Sequence, residues 1–429
     1  MKIPELNSAD TSRNANISFL FFALGGAVGL INMASATIPF GEGFEMVVLA
    51  KNLALHGAYI NPFRVLDTGA TAANPPMYPF LLSLLVRILR VDSFVVLAAT
   101  LLNILANAVT AALLPRVSWM FYGDVRPGIA ASVLWLLSTA LMPSWDTGCT
   151  AATLLLFCLF SSKTMGRSSS FLPGLFAGLL AGILFLFNPS TILIFAPWIA
   201  YLVFERRVSL RQVTAYCAAL VAVLVLMVFS WMFRNYEELG AFVVRTNLGM
   251  TLYSSNNDCA SSSLIDEERT NCYQSHHPNT SIAEAERLRS LGEIEYDRMR
   301  VQDTMAWVRS HRTPFLHLSL ARFRDFWLPP REDHPFKSVT IWIATLLSIP
   351  GLLLMIYRRE RVTPFALFVL AIYPLMYYVV VSDVRYRIPV LWLSLLPAGY
   401  FLAKIGERIR ESGHGDARRR RFSGPGRVV

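Results

Sequence analysis

The sequence predicts an all-α, polytopic membrane protein: about ten transmembrane helices, an interfacial helix on the outer face and a mostly helical outer loop domain. Three observations predict it. Hydrophobic residues make up 54% of the 429 and charged residues only 16%, against roughly 25% charged in a soluble domain. Mean hydropathy is +0.45. The apolar residues also fall into blocks of roughly 15–24, divided by short basic or Pro- and Gly-containing breaks, as membrane-crossing helices require. The net charge of +10 does not point to nucleic acid. Lys and Arg gather at the ends of the apolar blocks, where they set topology.

Residues 1–16 are polar and read as a cytoplasmic N-terminus. Block 17–38 is too long for the apolar region of a signal peptide and no small-residue cleavage pattern follows, so it is expected to stay as the first span. Further blocks lie at 77–89, 94–115, 127–143, 147–162, 171–187, 190–204, 212–233, 339–357, 363–381 and 388–404. Block 77–89 is short, contains Arg87 and follows Pro75-Pro76, which suits a segment at the membrane surface better than a span. Leaving it out gathers Arg116 and Arg126, Lys163 and Arg167, Arg206 to Arg211, and Arg358 to Arg361 on the side of both termini. Counting it in turns every later cluster outward, against the positive-inside bias. Ten spans with cytoplasmic termini are therefore expected. The core is then 17–233, with a first outer loop at 39–93. An outer loop domain at 234–338, C-terminal spans at 339–405 and a basic cytoplasmic tail at 406–429 follow. The tail is expected to be a disordered, lipid-facing anchor.

The residues left unexplained by topology converge on the outer face. Glu42 and Glu45 stand where the chain leaves the first span, and 44–55 reads as an amphipathic helix in the interface. A carboxylate partly desolvated there is tuned for general-base work, although solvated loop acids would show the same spacing. His56 beside Gly57 reads as a helix end. Asn74-Pro75-Pro76 opens the next helix, whose first-turn amides offer an anion site or simply a helix start. Asp146 lies between two apolar blocks, either in a turn or in a functional role. Arg234, Arg245, Arg385 and Arg387 stand on the face where Arg is disfavoured, with Tyr386 between the last two. Bidentate phosphate binding would explain them, and so would ion pairs with Glu42, Asp146 or Asp383. Cys259 and Cys272 share the long polar segment and could bridge in an oxidising compartment. Phosphate-binding Gly-rich loops and zinc motifs are missing, and His276-His277 lacks matching ligands nearby.

Several segments in order resemble the GT-C superfamily of membrane glycosyltransferases, near the bacterial relatives of dolichyl-phosphate-mannose–protein mannosyltransferases and of aminoarabinose transferases. They are an acid followed by LAKNLALHG, then NPPMYPFLLSLL, Trp231 to Tyr236 with GAFVVRTNLG, HPNTSIAEAERLRSLGEIEYDRM, PFLHLSLARFRDFW and RYRIPVLWL. The resemblance implies a GT-C-like fold with an interfacial helix at 77–89. It implies a base on the acceptor at Glu42, counted back from Ala50-Lys51, with Glu45 as the other candidate. Asp146 resembles the superfamily's second acidic position, and Asn74 stands where some relatives carry a lysine. The implied donor is a polyprenyl-phosphate-linked sugar, hexose or pentose, its phosphate held by Arg385, Arg387 or Arg234, with Arg245 and Tyr386 among the substrate contacts. The acceptor is a protein, lipid or glycan; no cofactor is certain and a divalent metal is possible. The expected location is the bacterial inner membrane, with the active site outside. A non-catalytic flippase for lipid-linked sugars is the rival reading, and a surface-polysaccharide polymerase or ligase a second.

Overall fold

A computed structural model describes residues 8–34, 44–89, 95–139, 145–166, 170–206, 208–331 and 335–422. Glu42 lies outside these residues. Eighteen α-helices and no strands occur among the described residues. The first half runs α1 Ser8–Ala34, α2 Glu45–His56, α3 Met77–Leu89, α4 Val95–Tyr122, α5 Arg126–Thr139, α6 Trp145–Thr164, α7 Phe171–Phe187, α8 Ile192–Arg206 and α9 Leu210–Leu239. A group of shorter helices follows: α10 Leu248–Ser255, α11 Leu264–Arg269, α12 Cys272–His276, α13 Ile282–Leu291, α14 Glu293–Ser310 and α15 Arg312–Trp327. The chain closes with α16 Pro335–Tyr357, α17 Thr363–Ile372 and α18 Ile388–Phe422.

Among the described residues, five helices are long and apolar enough to cross a membrane, in α1, α4, α9, α16 and α18. Four more apolar segments, at α3, α7, α8 and α17, are only 10–17 residues long. α18 is the hub. It packs against α5, α6, α16 and α17, and 72% of its apolar window is buried, against 17% for α1 and for α9. Fully buried Trp135, Trp198 and Phe157 share one apolar cluster with Trp392 and Leu395 of α18. α9 sits on the rim, held to α7 by a stripe of small residues. A Cβ on Gly174 or Gly178 would lie 2.6 or 2.5 Å from a carbonyl oxygen of α9. Only glycine admits that approach, which is how membrane helices gain packing contacts without a hydrophobic driving force.

The polar segments fold back on the bundle at one end. α2 buries Met46, Val47, Leu49 and Ala50 and ends at Gly57, whose φ of +68° suits the left-handed turn. With α3 and the starts of α4 and α6 it forms a second apolar cluster containing Tyr78, Leu82 and Phe187. A third cluster joins the first loop to the later helices through Phe63, Ala73, Met250, Leu288 and Tyr296.

Two boundaries differ from the sequence expectation. α9 continues past the expected block 212–233, through Arg234 to Leu239. The tail at 406–429, expected to be disordered, is helical and continuous with α18 as far as Phe422. Extending a helix that is already nucleated costs little per residue.

Candidate active site

Four separate stretches of chain place charged groups around one cavity of about 710 Å³. Glu45 enters it as the first residue of α2, Asp146 from the first turn of α6, Arg245 from the segment between α9 and α10, and Arg385 from the 3₁₀ turn before α18. Asn74 and Tyr386 also line it. Thus six of the expected site residues meet in one place, although up to 341 positions separate them in sequence.

Each of these groups is oriented by its neighbours. The Asn74 Nδ2 donates to Glu45 Oε2 at 3.2 Å, and His277 Nε2 lies 3.7 Å from Glu45 Oε1. Arg245 Nε donates to the Ala73 carbonyl at 2.9 Å, and its guanidinium acts on Asp146. Arg385 pairs with Asp383 at 3.0 Å. Its guanidinium lies 4.5 Å from the Trp145 ring and 5.4 Å from that of Tyr386. Stacking on aromatic faces fixes the plane of an arginine while leaving its outer N–H groups for a ligand. Trp145 has a φ of +41°, a backbone state that bulky residues rarely adopt. The Phe44 ring packs on it with centroids 3.5 Å apart. Apolar side chains, among them Phe185, Phe187, Ile192, Leu193, Val380 and Val381, also line the cavity.

Arg234 and Arg387 do not line the cavity. Arg234 donates to the carbonyls of Thr71 and Tyr59 at 2.7 and 2.8 Å and faces the Tyr59 and Trp231 rings, tying the first loop to α9. Arg387, 2% exposed, donates to the Trp327 carbonyl, to Thr345 Oγ1 and to Ser394 Oγ, tying α15, α16 and α18 together.

Three residues carry weight here that the sequence reading did not assign. Buried Glu293 accepts from Thr71 Oγ1, Ala72 N and Thr246 Oγ1 at 2.5 to 2.7 Å, clamping the first loop to the segment that carries Arg245. Burial pushes its carboxyl above the usual range while those three donors pull it back. His277 and Trp145 are the other two. His277 and Glu293 both lie in the HPNT…GEIEY stretch, so the signal was present but named no role. Among the described residues, the one cluster of three metal-ligating side chains is Cys259, Cys272 and His276. Its two sulfurs are joined in a disulfide.

The structure is similar over 96% of this chain to the archaeal oligosaccharyltransferase AglB of Archaeoglobus fulgidus, solved in complex with an inhibitory peptide and a dolichol-phosphate, with a TM-score of 0.51 and 11% identity. The fold is GT-C-like. The GT-C-like chain spans 52% of the length of AglB. Residues 73–231 match the dolichyl-phosphate-mannose-protein mannosyltransferase family, a stretch that begins at Ala73 beside the cavity and ends at Trp231 in α9. No curated protein matches the chain in sequence. With its apolar helices, this GT-C-like protein is an integral membrane protein.

Proposed function

We propose that the protein is an inverting membrane glycosyltransferase that moves a sugar from a polyprenyl-phosphate-linked donor to an acceptor at the extracytoplasmic face. The observation that carries this reading is the cavity itself: two arginines and two carboxylates share its lining with many apolar side chains. A lipid-linked sugar phosphate has that polarity, an anionic head next to a hydrocarbon tail. AglB was solved with a dolichol-phosphate and a peptide, which supports a polyprenyl phosphate on the donor side here. The acceptor would be a protein, lipid or glycan hydroxyl.

Arg385 and Arg245 would hold the phosphate. Two cationic forks at one site stabilise the charge that grows on the phosphate as the glycosidic bond breaks. Glu42, three positions before Glu45 and in register with the superfamily's first-loop acid, would accept the hydroxyl proton as the acceptor oxygen attacks the anomeric carbon. The phosphate leaves with the bonding electron pair and needs no strong acid. Glu45 and Asp146 are the described carboxylates on the wall that could also ligate a divalent cation. Asp146 already faces Arg385 and Arg245, and Glu45 the Asn74 amide, and no step requires the ion.

The test is sugar transfer in membranes from radiolabelled polyprenyl-phosphate sugars. Wild type is expected to transfer, and Glu42→Gln to lower turnover by about 10²–10⁴-fold with donor binding retained. Glu45→Gln is expected to be milder. A dead Glu45→Gln beside a fully active Glu42→Gln would move the base to Glu45, and normal transfer by both would remove the first loop from the chemistry.

A further inference from the structure

His277 sits at the end of α12 with its ring fixed on three sides. It stacks on Tyr273 at 4.7 Å and meets the edge of Phe63 at 6.2 Å. Its Nδ1 accepts the backbone N–H of Asn279 at 3.2 Å. That last bond assigns the tautomer: with Nδ1 accepting, the neutral ring carries its proton on Nε2. Nε2 faces Glu45 Oε1 at 3.7 Å, while the other oxygen of Glu45 receives the Asn74 amide. The imidazole is 7% exposed. Burial holds it below the usual histidine range, opposed by Glu45, so at neutral pH it is an N–H donor and not a cation. Behind it, the Cys259–Cys272 disulfide anchors the start of the five-residue α12. Glu45, His277 and Asn279 all line the cavity.

The Asn74 N–H holds one Glu45 oxygen, and the His277 Nε2–H stands 3.7 Å from the other, beyond hydrogen-bond length but within the small movement by which catalytic contacts tighten when substrate binds. We infer that His277 is a positioning residue: when the acceptor binds, its Nε2–H closes on Glu45 Oε1 and, with the Asn74 amide, sets the carboxylate to receive a donor group of the acceptor beside the attacking hydroxyl, whose own proton goes to Glu42. This rests on the proposed transfer reaction and adds to it the residue that sets acceptor geometry. Orientation is where such a contact acts, because a misplaced hydroxyl loses rate and leaves donor binding intact.

The experiment compares wild type, His277→Phe, His277→Gln and Glu45→Gln in membranes supplied with radiolabelled polyprenyl-phosphate mannose or polyprenyl-phosphate glucose. Phe keeps the stacking and removes the N–H; Gln restores an N–H. His277→Phe is expected to lower maximal transfer about ten- to hundredfold, the scale of a hydrogen bond to a charged group, at unchanged apparent KM for the donor. His277→Gln should recover most of the rate. In the Glu45→Gln background, His277→Phe should cost nothing further, because the group it positions is already neutral. Should His277→Phe not reach the membrane, His277→Met fills the same space without the N–H and takes its place. Wild-type rate in the Phe or Met variant, a shift confined to donor KM, no recovery by Gln, or a full additional loss in the Glu45→Gln background each overturns the assignment of His277 alone. If wild type moves neither label, the transfer reading falls and takes this inference with it.

Discussion

Arg385 and Arg387 are two residues apart and have different work. In a 3₁₀ turn each step advances a third of a revolution, so side chains at i and i+2 leave on different sides. Arg385 goes to the cavity and lies over Trp145. Arg387 goes inward to three oxygen acceptors. The sequence showed both as arginines unexplained by topology, and periodicity alone did not separate them. The variants should separate them. Arg385→Lys replaces a planar fork by a point charge and is expected to cost about 1.5–3 kcal/mol of donor interaction, read as a ten- to hundredfold rise in donor KM at normal membrane abundance. Arg387→Met takes a donor from the Thr345 and Ser394 hydroxyls and one of two donors from the Trp327 carbonyl, at about 1–3 kcal/mol in all. It should lower thermal stability in detergent while the folded fraction keeps its donor KM. The opposite pattern would exchange the two roles.

At the scale of elements, the sequence reading was most accurate where a break residue stands beside an apolar block. Blocks 77–89 and 171–187 are α3 and α7 residue for residue, because Pro75-Pro76 and Asn188-Pro189 admit no continuation of the helix. The break between blocks 171–187 and 190–204 is a 3₁₀ turn over Pro189–Thr191 that leads into α8. Block 363–381 is a ten-residue α17 followed by 3₁₀ structure over Tyr373–Tyr378. Pro374 has no N–H to extend the helix. α12 is the element least able to stand alone. At five residues it is far below the length at which an isolated helix holds. Its disulfide closes a loop of 13 residues, which corresponds to roughly 3 kcal/mol of chain entropy. Cys259→Ser with Cys272→Ser is therefore expected to lower the melting temperature and speed proteolysis between residues 256 and 281. Unchanged melting and cleavage would mean that packing of Tyr273 and His277 holds α12 by itself.

For the whole molecule, the described part of the first loop and the 240–331 region pack together at one end of the bundle. Glu293 and Arg234 both fasten residues 59–72 to later parts of the chain. The proposed topology puts that end outside the cytoplasm, and it can be tested without substrate. A reporter active only in the cytoplasm, fused after Leu89 and separately after Asp258, should be silent at both sites. A signal at 258 would overturn the ten-span arrangement and the shared outer face.

The sequence by itself determined the helices and their membrane character, because block length, apolar content and Pro or Gly breaks are local properties that the bilayer reads directly. It also pointed to Glu45, Asp146, Arg245 and Arg385 as candidates, since an unexplained charge at a span end is visible in one dimension, and to Asn74 and Tyr386 through the segments that resemble the superfamily. Only the tertiary structure decided which candidates share a cavity and which are fasteners. Arg234 and Arg387 look the same as Arg385 in sequence until their acceptors, carbonyls and hydroxyls from residues as far apart as Tyr59 and Thr345, are in place. His277 and Glu293 acquire meaning in the same way. A histidine's role is set by what stands 3–4 Å from each ring nitrogen, and here those neighbours are two and 232 positions away along the chain.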